Sequence, residues 1–135
     1  MKHRSPLTLA ALVLVLALLT ACGASAASLR ETREVSFQDA ELTVSLGTNK
    51  STGYEWGFSI DGDCIQQSVN KVFTLKPVDG QSTGVVHIGF QGLSEGDAVI
   101  TFTTPNGWDG AGGGDTYTVA VSVNADGTIA DARAA

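Results

Sequence analysis

Few side chains in this 135-residue chain are of the kinds that catalyse reactions or bind metals. Beyond the first 22 residues, His87 is the single histidine and Cys64 the single cysteine, which is too few for a zinc site. Alternation with Val86 and Ile88 places His87 on the solvent side of a strand. No Gly-x-Ser-x-Gly motif is present to supply a serine nucleophile. The sequence therefore predicts that the protein is not an enzyme and uses neither a metal nor another cofactor.

Two segments with partial likeness to ligand-binding motifs are interpreted as a turn and a loop. Asp61-Gly62-Asp63 begins like a calcium-binding loop, but Ile65 occupies the place of the third ligand. The glycine-rich run 110–114 lacks the lysine and the following helix of a phosphate-binding loop, and we expect it to be flexible. Cys64 is interpreted as a small buried apolar residue.

The charge balance excludes a nucleic-acid-binding footprint. The chain has 14 Asp and Glu against 8 Lys and Arg, so its net charge is −6, whereas proteins that bind nucleic acid present clustered positive charge. Apolar residues make up 43% of the sequence, which is too much for a disordered protein. The length is typical of one domain, and we expect a monomer.

The N-terminal segment resembles the leader of a bacterial lipoprotein. Lys2 and Arg4 precede an apolar run at 7–19, which is typical of a secretory signal and is too short to span a bilayer. The run ends in Leu-Thr-Ala before Cys22, which is similar to the lipobox that directs lipidation of the cysteine. We therefore expect a signal peptide at residues 1–21, a lipid on Cys22 and a tether at residues 22–29. The alternative is ordinary signal cleavage near residues 24–26.

A lipidated Cys22 implies an exported protein that is anchored to a bacterial membrane, at the cell surface or in the periplasm. Buried acyl chains contribute about 0.8 kcal/mol per CH₂, and more than one chain holds a protein firmly. Loss of Lys2 and Arg4 with the leader changes the net charge from −6 to −8, so the exported domain is distinctly acidic.

Period-two alternation of apolar and polar residues dominates the chain after residue 30. About seven such runs are separated by turns rich in Gly, Asp and Asn, and none shows a sustained helical period. The pattern predicts an all-β fold, an immunoglobulin-like antiparallel β-sandwich, over residues 30–124. Residues 125–135 are small and polar, and we expect a flexible tail. The runs begin near Val35, Leu42, Tyr54, Val72, Val85, Ala98 and Tyr117.

Three polar loops of this sandwich, at 47–53, 78–84 and 104–114, are expected at the same end. Trp56 lies on the alternating apolar face of its run and is predicted to be in the core. Trp108 lies among turn residues without alternating partners, so we expect it to be an exposed aromatic anchor for a protein partner. The alternative is that Trp108 folds back over the end of the sandwich.

The first loop and the run after it read Asn49-Lys50-Ser51-Thr52-Gly53-Tyr54-Glu55-Trp56. This segment resembles the signature Asn-Pro-Thr-Thr-Gly-aromatic-x-Trp of the chagasin-type inhibitors of papain-like cysteine peptidases. Lys50 stands in place of the proline, and Ser51 is a conservative replacement. Thr104-Pro105 followed by Trp108 is similar to the family's Arg-Pro-aromatic motif without its arginine, and segment 79–84 is loosely similar to its glycine-rich loop.

The resemblance implies a reversible, non-covalent inhibitor whose three loops enter the cleft of a papain-like cysteine peptidase. Ser51, Thr52 and Gly53 would lie at the catalytic centre, with Trp108 as an anchor beside it. The competing class is a lipid-anchored adhesion or scaffold module of the same fold that inhibits no peptidase. The residues expected to bind the peptidase are Asn49, Ser51, Thr52, Gly53, Tyr54, Gly80, Gln81, Ser82, Pro105 and Trp108.

Overall fold

The computed structural model describes residues 26–68 and 71–135. The predicted signal peptide and the predicted lipidation site, Cys22, lie outside these residues. The described chain begins with a short helix, α1 (Ala26–Arg30), and continues mainly in strands. The strands are β1 (Arg33–Gln38), β2 (Glu41–Asn49), β3 (Gly57–Asp61), β4 (Ile65–Gln67), β5 (Val72–Leu75), β6 (Thr83–Gly92), β7 (Gly96–Thr103), β8 (Thr116–Val123) and β9 (Ile129–Ala134).

The strands form two antiparallel sheets. The first has the order β1-β2-β6-β4, with β4 and β5 sharing the side of β6 that faces away from β2. The second has the order β3-β7-β8-β9. Alternate residues of β2, β6, β7 and β8 are buried, because each sheet turns one apolar face toward the other. The predicted all-β sandwich is confirmed, with nine strands in the described residues against the expected seven or so.

The core lies between the two sheets. Phe90 of β6 and Phe58 of β3 come from opposite sheets and meet edge to face, with their ring centres 5.1 Å apart. Burial of an aromatic or large aliphatic side chain stabilises the fold by roughly 1.5–3 kcal/mol. Trp56 is buried in the core, as predicted, and its indole nitrogen donates a hydrogen bond to the main-chain oxygen of Gly47 at 2.7 Å. Other fully buried core residues are Leu42, Val44, Leu46, Ile88, Ile100, Phe102 and Val119.

The domain extends beyond its predicted limits at both ends. The prediction of a flexible tail is wrong for Ile129–Ala134, because these residues form β9 and pair with β8. Ile129 and Ala132 of this strand are buried against the core. The predicted tether is wrong from residue 26 onward, because α1 forms there and the side chain of Leu29 is 3% exposed.

Helix α1 packs directly on β2 at Gly47. A Cβ atom on this residue would lie 1.6 Å from the main-chain oxygen of Leu29, so glycine alone permits the close approach. The Gly47 N–H also donates a hydrogen bond to the main-chain oxygen of Thr32 at 3.0 Å. These contacts hold α1 beside the last residues of β2, close to the point where β2 ends at Asn49.

The residues that the sequence analysis considered as possible catalytic or metal-binding groups lie within strands, turns or the core. His87 is half-buried on the outer face of its sheet, with Nδ1 2.7 Å from Ser45 Oγ. Cys64 is a buried free thiol, as predicted, and burial raises its pKa. Asp61-Gly62-Asp63 ends β3 and turns the chain toward β4, as predicted. Within residues 26–68 and 71–135, no cluster of three or more His, Cys, Asp or Glu could hold a metal ion, and no helix is long and apolar enough to cross a membrane.

Candidate functional site

Three loops meet at the end of the sandwich where β2 ends and β6 begins. We name them loop A (residues 50–56, between β2 and β3), loop B (76–82, between β5 and β6) and loop C (104–115, between β7 and β8). Pairing of Asn49 with Thr83 brings loops A and B side by side. Thr103, the residue before loop C, pairs with Gly57, the residue after loop A. Loop C therefore reaches the same end of the sandwich from the second sheet. The predicted meeting of the three loops is confirmed.

Loop A is a closed turn rather than an extended segment. The Asn49 N–H donates to the main-chain oxygen of Tyr54 at 2.9 Å, and the Tyr54 N–H donates back to Asn49 at 3.0 Å. Gly53 has a φ of +79°, a left-handed conformation that glycine adopts without the steric cost of a Cβ atom. Asn49 Oδ1 accepts from the Ser51 N–H at 3.1 Å, which starts the turn. The asparagine and glycine of the sequence motif therefore have defined roles in shaping loop A.

The side chain of Asn49 joins all three loops. It is 0% exposed. Its Nδ2 donates to Gln81 Oε1 in loop B at 2.9 Å and to the main-chain oxygen of Trp108 in loop C at 3.3 Å. Together with the bond that Oδ1 accepts within loop A, these contacts satisfy both ends of a buried amide. One side chain therefore fixes the positions of the loops relative to one another.

Two hydroxyl groups of loop A reinforce this arrangement. Ser51 Oγ accepts a hydrogen bond from the Ser82 N–H of loop B at 2.8 Å. Thr52 Oγ1 donates to the main-chain oxygen of Trp108 in loop C at 2.7 Å. Ser51 is exposed, and since its oxygen acts as an acceptor here, its O–H remains a donor for a partner molecule.

Loop B ends in a tight two-residue turn. Asp79 and Gly80 have φ values of +52° and +73°, which is the combination found in type I′ hairpin turns. The Gln81 N–H closes the turn by donating to the main-chain oxygen of Val78 at 3.0 Å. The turn predicted from the Asp-Gly pair is confirmed, and it leaves Gly80, Gln81 and Ser82 exposed.

Trp108 is buried, and the prediction of an exposed aromatic anchor is wrong. Its side chain is 7% exposed, and its ring meets that of Tyr54 edge-on with the ring centres 5.1 Å apart. Loop C folds back on itself, because the Gly107 N–H donates to Ala111 at 3.1 Å and the Gly110 N–H donates to Gly107 at 2.9 Å. The indole is removed from water and gains an aromatic contact, so it covers the end of the sandwich.

A charged cluster holds Tyr54 from the side of loop C. Tyr54 is 0% exposed, and its hydroxyl donates a hydrogen bond to Asp115 Oδ2. The same carboxylate oxygen lies 3.4 Å from Arg30 Nη2 and 3.6 Å from Arg33 Nη2. The bond from Tyr54 and the two guanidinium groups lower the pKa of Asp115, whereas burial raises the pKa of Tyr54. At neutral pH Asp115 is therefore charged and Tyr54 is neutral.

Comparison with models of protein families gives a match over residues 37–123, a stretch that contains all three loops. The matching family is described as Chagasin family peptidase inhibitor I42. The chain belongs to the chagasin family. The match confirms the family predicted from segment 49–56, and it makes the chain a peptidase inhibitor with cysteine peptidases as the implied target class. No match is found among curated proteins or among solved structures.

Burial divides the predicted contact residues of this chagasin-family chain into two groups. Asn49, Tyr54 and Trp108 are buried, so their side chains support the loops. The remaining residues are exposed or half-buried and are placed to touch a partner, and their contact with a peptidase stays a prediction. These residues are Ser51, Thr52, Gly53, Gly80, Gln81, Ser82 and Pro105.

Two residues of loop C that the sequence does not identify as part of the site complete its framework. Asn106 Nδ2 donates to the main-chain oxygen of Thr52 at 3.0 Å, and Asp115 holds the hydroxyl of Tyr54. The Asn-Gly pair at residues 106–107 predicts a turn, but not a contact with a loop 54 residues earlier. Asp115 carries no local signal, because the partners of its side chain lie in two distant segments of the chain, at residues 30–33 and at Tyr54.

Proposed function

We propose that this chagasin-family protein is a reversible, non-covalent inhibitor of papain-like cysteine peptidases whose loops A, B and C enter the substrate cleft together. The observation that carries the proposal is the side chain of Asn49, which hydrogen-bonds to both loop B and loop C. Loops held in this way lose little conformational freedom on binding, which favours affinity. Their exposed residues would make the contact.

The shape of loop A favours binding without cleavage. Cleavage requires a peptide bond to reach a geometry in which the nucleophile is aligned with its carbonyl carbon. The Asn49–Tyr54 main-chain pair and the positive φ of Gly53 hold loop A in a closed turn, not in an extended form. The hydroxyl of Ser51 can donate a hydrogen bond at the catalytic centre while no extended peptide is presented. An inhibitor of this kind is released intact.

The burial of Trp108 changes the flanking contact that we propose for loop C. Pro105, Asp109 and Gly110 are exposed residues of this loop, and Pro105 and Asp109 directly adjoin Asn106 and Trp108, which hydrogen-bond to Thr52 of loop A. A Cβ atom on Gly110 would lie 3.4 Å from Thr52 Cβ, so this part of loop C is directly beside the tip of loop A. We assign the flanking contact to these residues, with Trp108 as their support.

The test is titration of papain and cathepsin-type peptidases with the purified protein, followed by a fluorogenic substrate and by mass spectrometry of the recovered inhibitor. Ser51→Asp adds charge and bulk at the tip, while its carboxylate can still accept the Ser82 N–H. We expect Ki to rise at least about tenfold, as for a central interface residue. The matched control is Ser94→Asp, an exposed serine at the opposite end of the sandwich. Absence of inhibition by the wild type at micromolar concentration would contradict the proposal, as would equal effects of the two variants.

We also propose that Cys22 carries a lipid that anchors the inhibitor to a bacterial membrane, at the cell surface or in the periplasm. The support is the sequence, in which an apolar run ends in a lipobox-like segment at Cys22. Mass spectrometry of the N-terminal peptide should give a lipidated Cys22, and Cys22→Ala should move the protein from the membrane fraction to the soluble fraction. An unmodified N-terminus near residues 24–26 would contradict the anchor.

A further inference from the structure

A groove opens between loop A and β5, with further lining from β2 and β6. Its lining is mainly apolar and includes Trp56, Phe73 and Val86. Its volume is about 110 Å³, which leaves room for a single side chain. Trp56 and Val86 are buried, whereas Phe73 is half-buried, so the phenyl ring forms the accessible wall of the groove.

Two lysines stand at the rim of this groove. Lys50 Nζ lies 4.4 Å from the centre of the Phe73 ring, which is a cation–π contact. Lys71 Nζ donates a hydrogen bond to the main-chain oxygen of Trp56 at 3.0 Å. Both lysines are exposed, and neither forms an ion pair within residues 26–68 and 71–135. Glu55 is the acidic side chain that shares the lining.

The positive rim contrasts with the rest of an acidic domain. Arg30 and Arg33 are paired with Asp115, and Arg133 is paired with Asp131. In the described residues, the positive charges without an acidic partner are therefore the lysines, one in loop A and one on each side of β5. These lysines are Lys50, Lys71 and Lys76.

We propose that this groove is a second contact site for the target peptidase and that it binds an acidic side chain, together with an apolar neighbour, on the wall of the substrate cleft. The inference rests on the proposed function, because Lys50 precedes Ser51 in loop A and the groove would face the cleft wall once loop A is inserted. Charge complementarity identifies the occupant, since two unpaired cations attract a carboxylate. Phe73 and Trp56 provide the surface on which its apolar neighbour packs.

The second contact would select among peptidases rather than create inhibition. Charged groups at the rim of an interface mainly change the association rate and its dependence on salt. A peptidase with an acidic wall would be captured faster than one with a basic wall, because like charges at the rim oppose binding. Lys50, which stands in place of the proline of the family signature, would thus contribute a charge that selects among target peptidases.

The experiment measures Ki and the association rate at low and high ionic strength, with a peptidase that the wild type inhibits. Exposed ion pairs contribute up to about 1 kcal/mol, so Lys50→Gln should raise Ki roughly two- to fivefold, and the charge reversal Lys71→Glu about tenfold at low ionic strength. Phe73→Ala should raise Ki without changing the salt dependence. Arg133→Glu is the matched control, because Arg133 is exposed on β9 of the other sheet and does not line the groove, and it should change Ki less than about twofold.

The outcomes separate this inference from the proposed function. If the wild type inhibits the peptidase and Lys71→Glu inhibits it equally well at low ionic strength, the second contact is overturned and the inhibitory function stands. If the wild type does not inhibit, both are overturned. Should thermal melting show that Lys71→Glu is unfolded, Lys71→Gln provides the same test, with an expected rise in Ki of about two- to fivefold.

Discussion

The amide nitrogen of Asn49 donates a hydrogen bond to the main-chain oxygen of Trp108, 3.3 Å away and 59 residues further along the chain. This bond links a turn of one sheet to a loop of the other. Because the same nitrogen also reaches Gln81, the positions of three loops depend on one buried amide. Asn49 and Trp108 are buried and support the loops, so mutations of these two residues should act on stability as well as on inhibition.

Replacing Asn49 with alanine should weaken folding and inhibition together. The change removes the three hydrogen bonds of the Asn49 side chain, to Ser51, Gln81 and Trp108, and each lost bond costs about 0.5–1.5 kcal/mol. We expect the free energy of unfolding to fall by about 2 kcal/mol in urea denaturation, and Ki to rise at least about tenfold. The control is Asn124→Ala, which removes one exposed hydrogen bond to Thr128 at the far end and should change neither. Wild-type stability and Ki in Asn49→Ala would show that the loops do not depend on this amide.

Truncating the side chain of Trp108 should mainly lower the free energy of unfolding. The indole is buried against Tyr54, and removal of a buried tryptophan side chain costs about 3–5 kcal/mol. Trp108→Phe should cost less, because an aromatic ring still meets Tyr54. Thermal and urea denaturation measure the loss, and inhibition is assayed under conditions where the variant is folded. An anchor in solvent would behave differently: Trp108→Ala would then raise Ki at unchanged stability.

The turn of loop A should depend on the left-handed backbone of Gly53. A Cβ atom there would lie 3.5 Å from Asn106 Nδ2, which is ordinary contact, so the cost of Gly53→Ala comes from its φ of +79°. We expect a loss of about 1–2 kcal/mol in unfolding free energy and a higher Ki. Gly113→Ala is the matched control, because a Cβ atom there meets nothing within 4 Å. Equal behaviour of the two variants would rule out a special role for this turn.

Asp115 should stabilise the fold at neutral pH and lose this effect in strong acid. Its folded pKa is lowered, first by the hydrogen bond from Tyr54, so its contribution is present above the ordinary value of 3.8 and is lost as pH falls through the lowered value. The difference in unfolding free energy between wild type and Asp115→Asn should therefore shrink as the pH falls below 3.8. The effect of Asp115→Asn should also be smaller in a Tyr54→Phe background. A difference that grows on acidification would contradict this assignment.

The two tryptophans show how far the sequence predicts this site. Trp56 lies in an alternating run, and a period of two residues is enough to place it in the core. Trp108 lies in a glycine-rich loop without a period, and its burial depends on the ring of Tyr54, which comes from another segment. Local pattern therefore predicts strands and turns, whereas the packing of an irregular loop depends on contacts that only the complete fold provides.

The structure at the two ends of the domain also depends on contacts that the local sequence pattern does not show. Residues 129–134 are mainly small, so the contrast between their buried and exposed sides is weak, and β9 is recognised only through its pairing with β8. Leu29 is a lone apolar residue in a short segment, and its burial depends on the absence of a side chain at Gly47. The loops A, B and C meet as expected because antiparallel topology alone brings them to one end.

Helix α1 sets the orientation in which the domain would be displayed. It rests on Gly47, two residues before the end of β2, and its Arg30 reaches Asp115 at the base of loop C. The polypeptide thus enters the fold at the end of the sandwich that carries loops A, B and C. An attachment upstream of α1 would hold those loops near the bilayer. The target peptidases would then be enzymes that act close to the cell envelope rather than enzymes that diffuse in the surrounding medium.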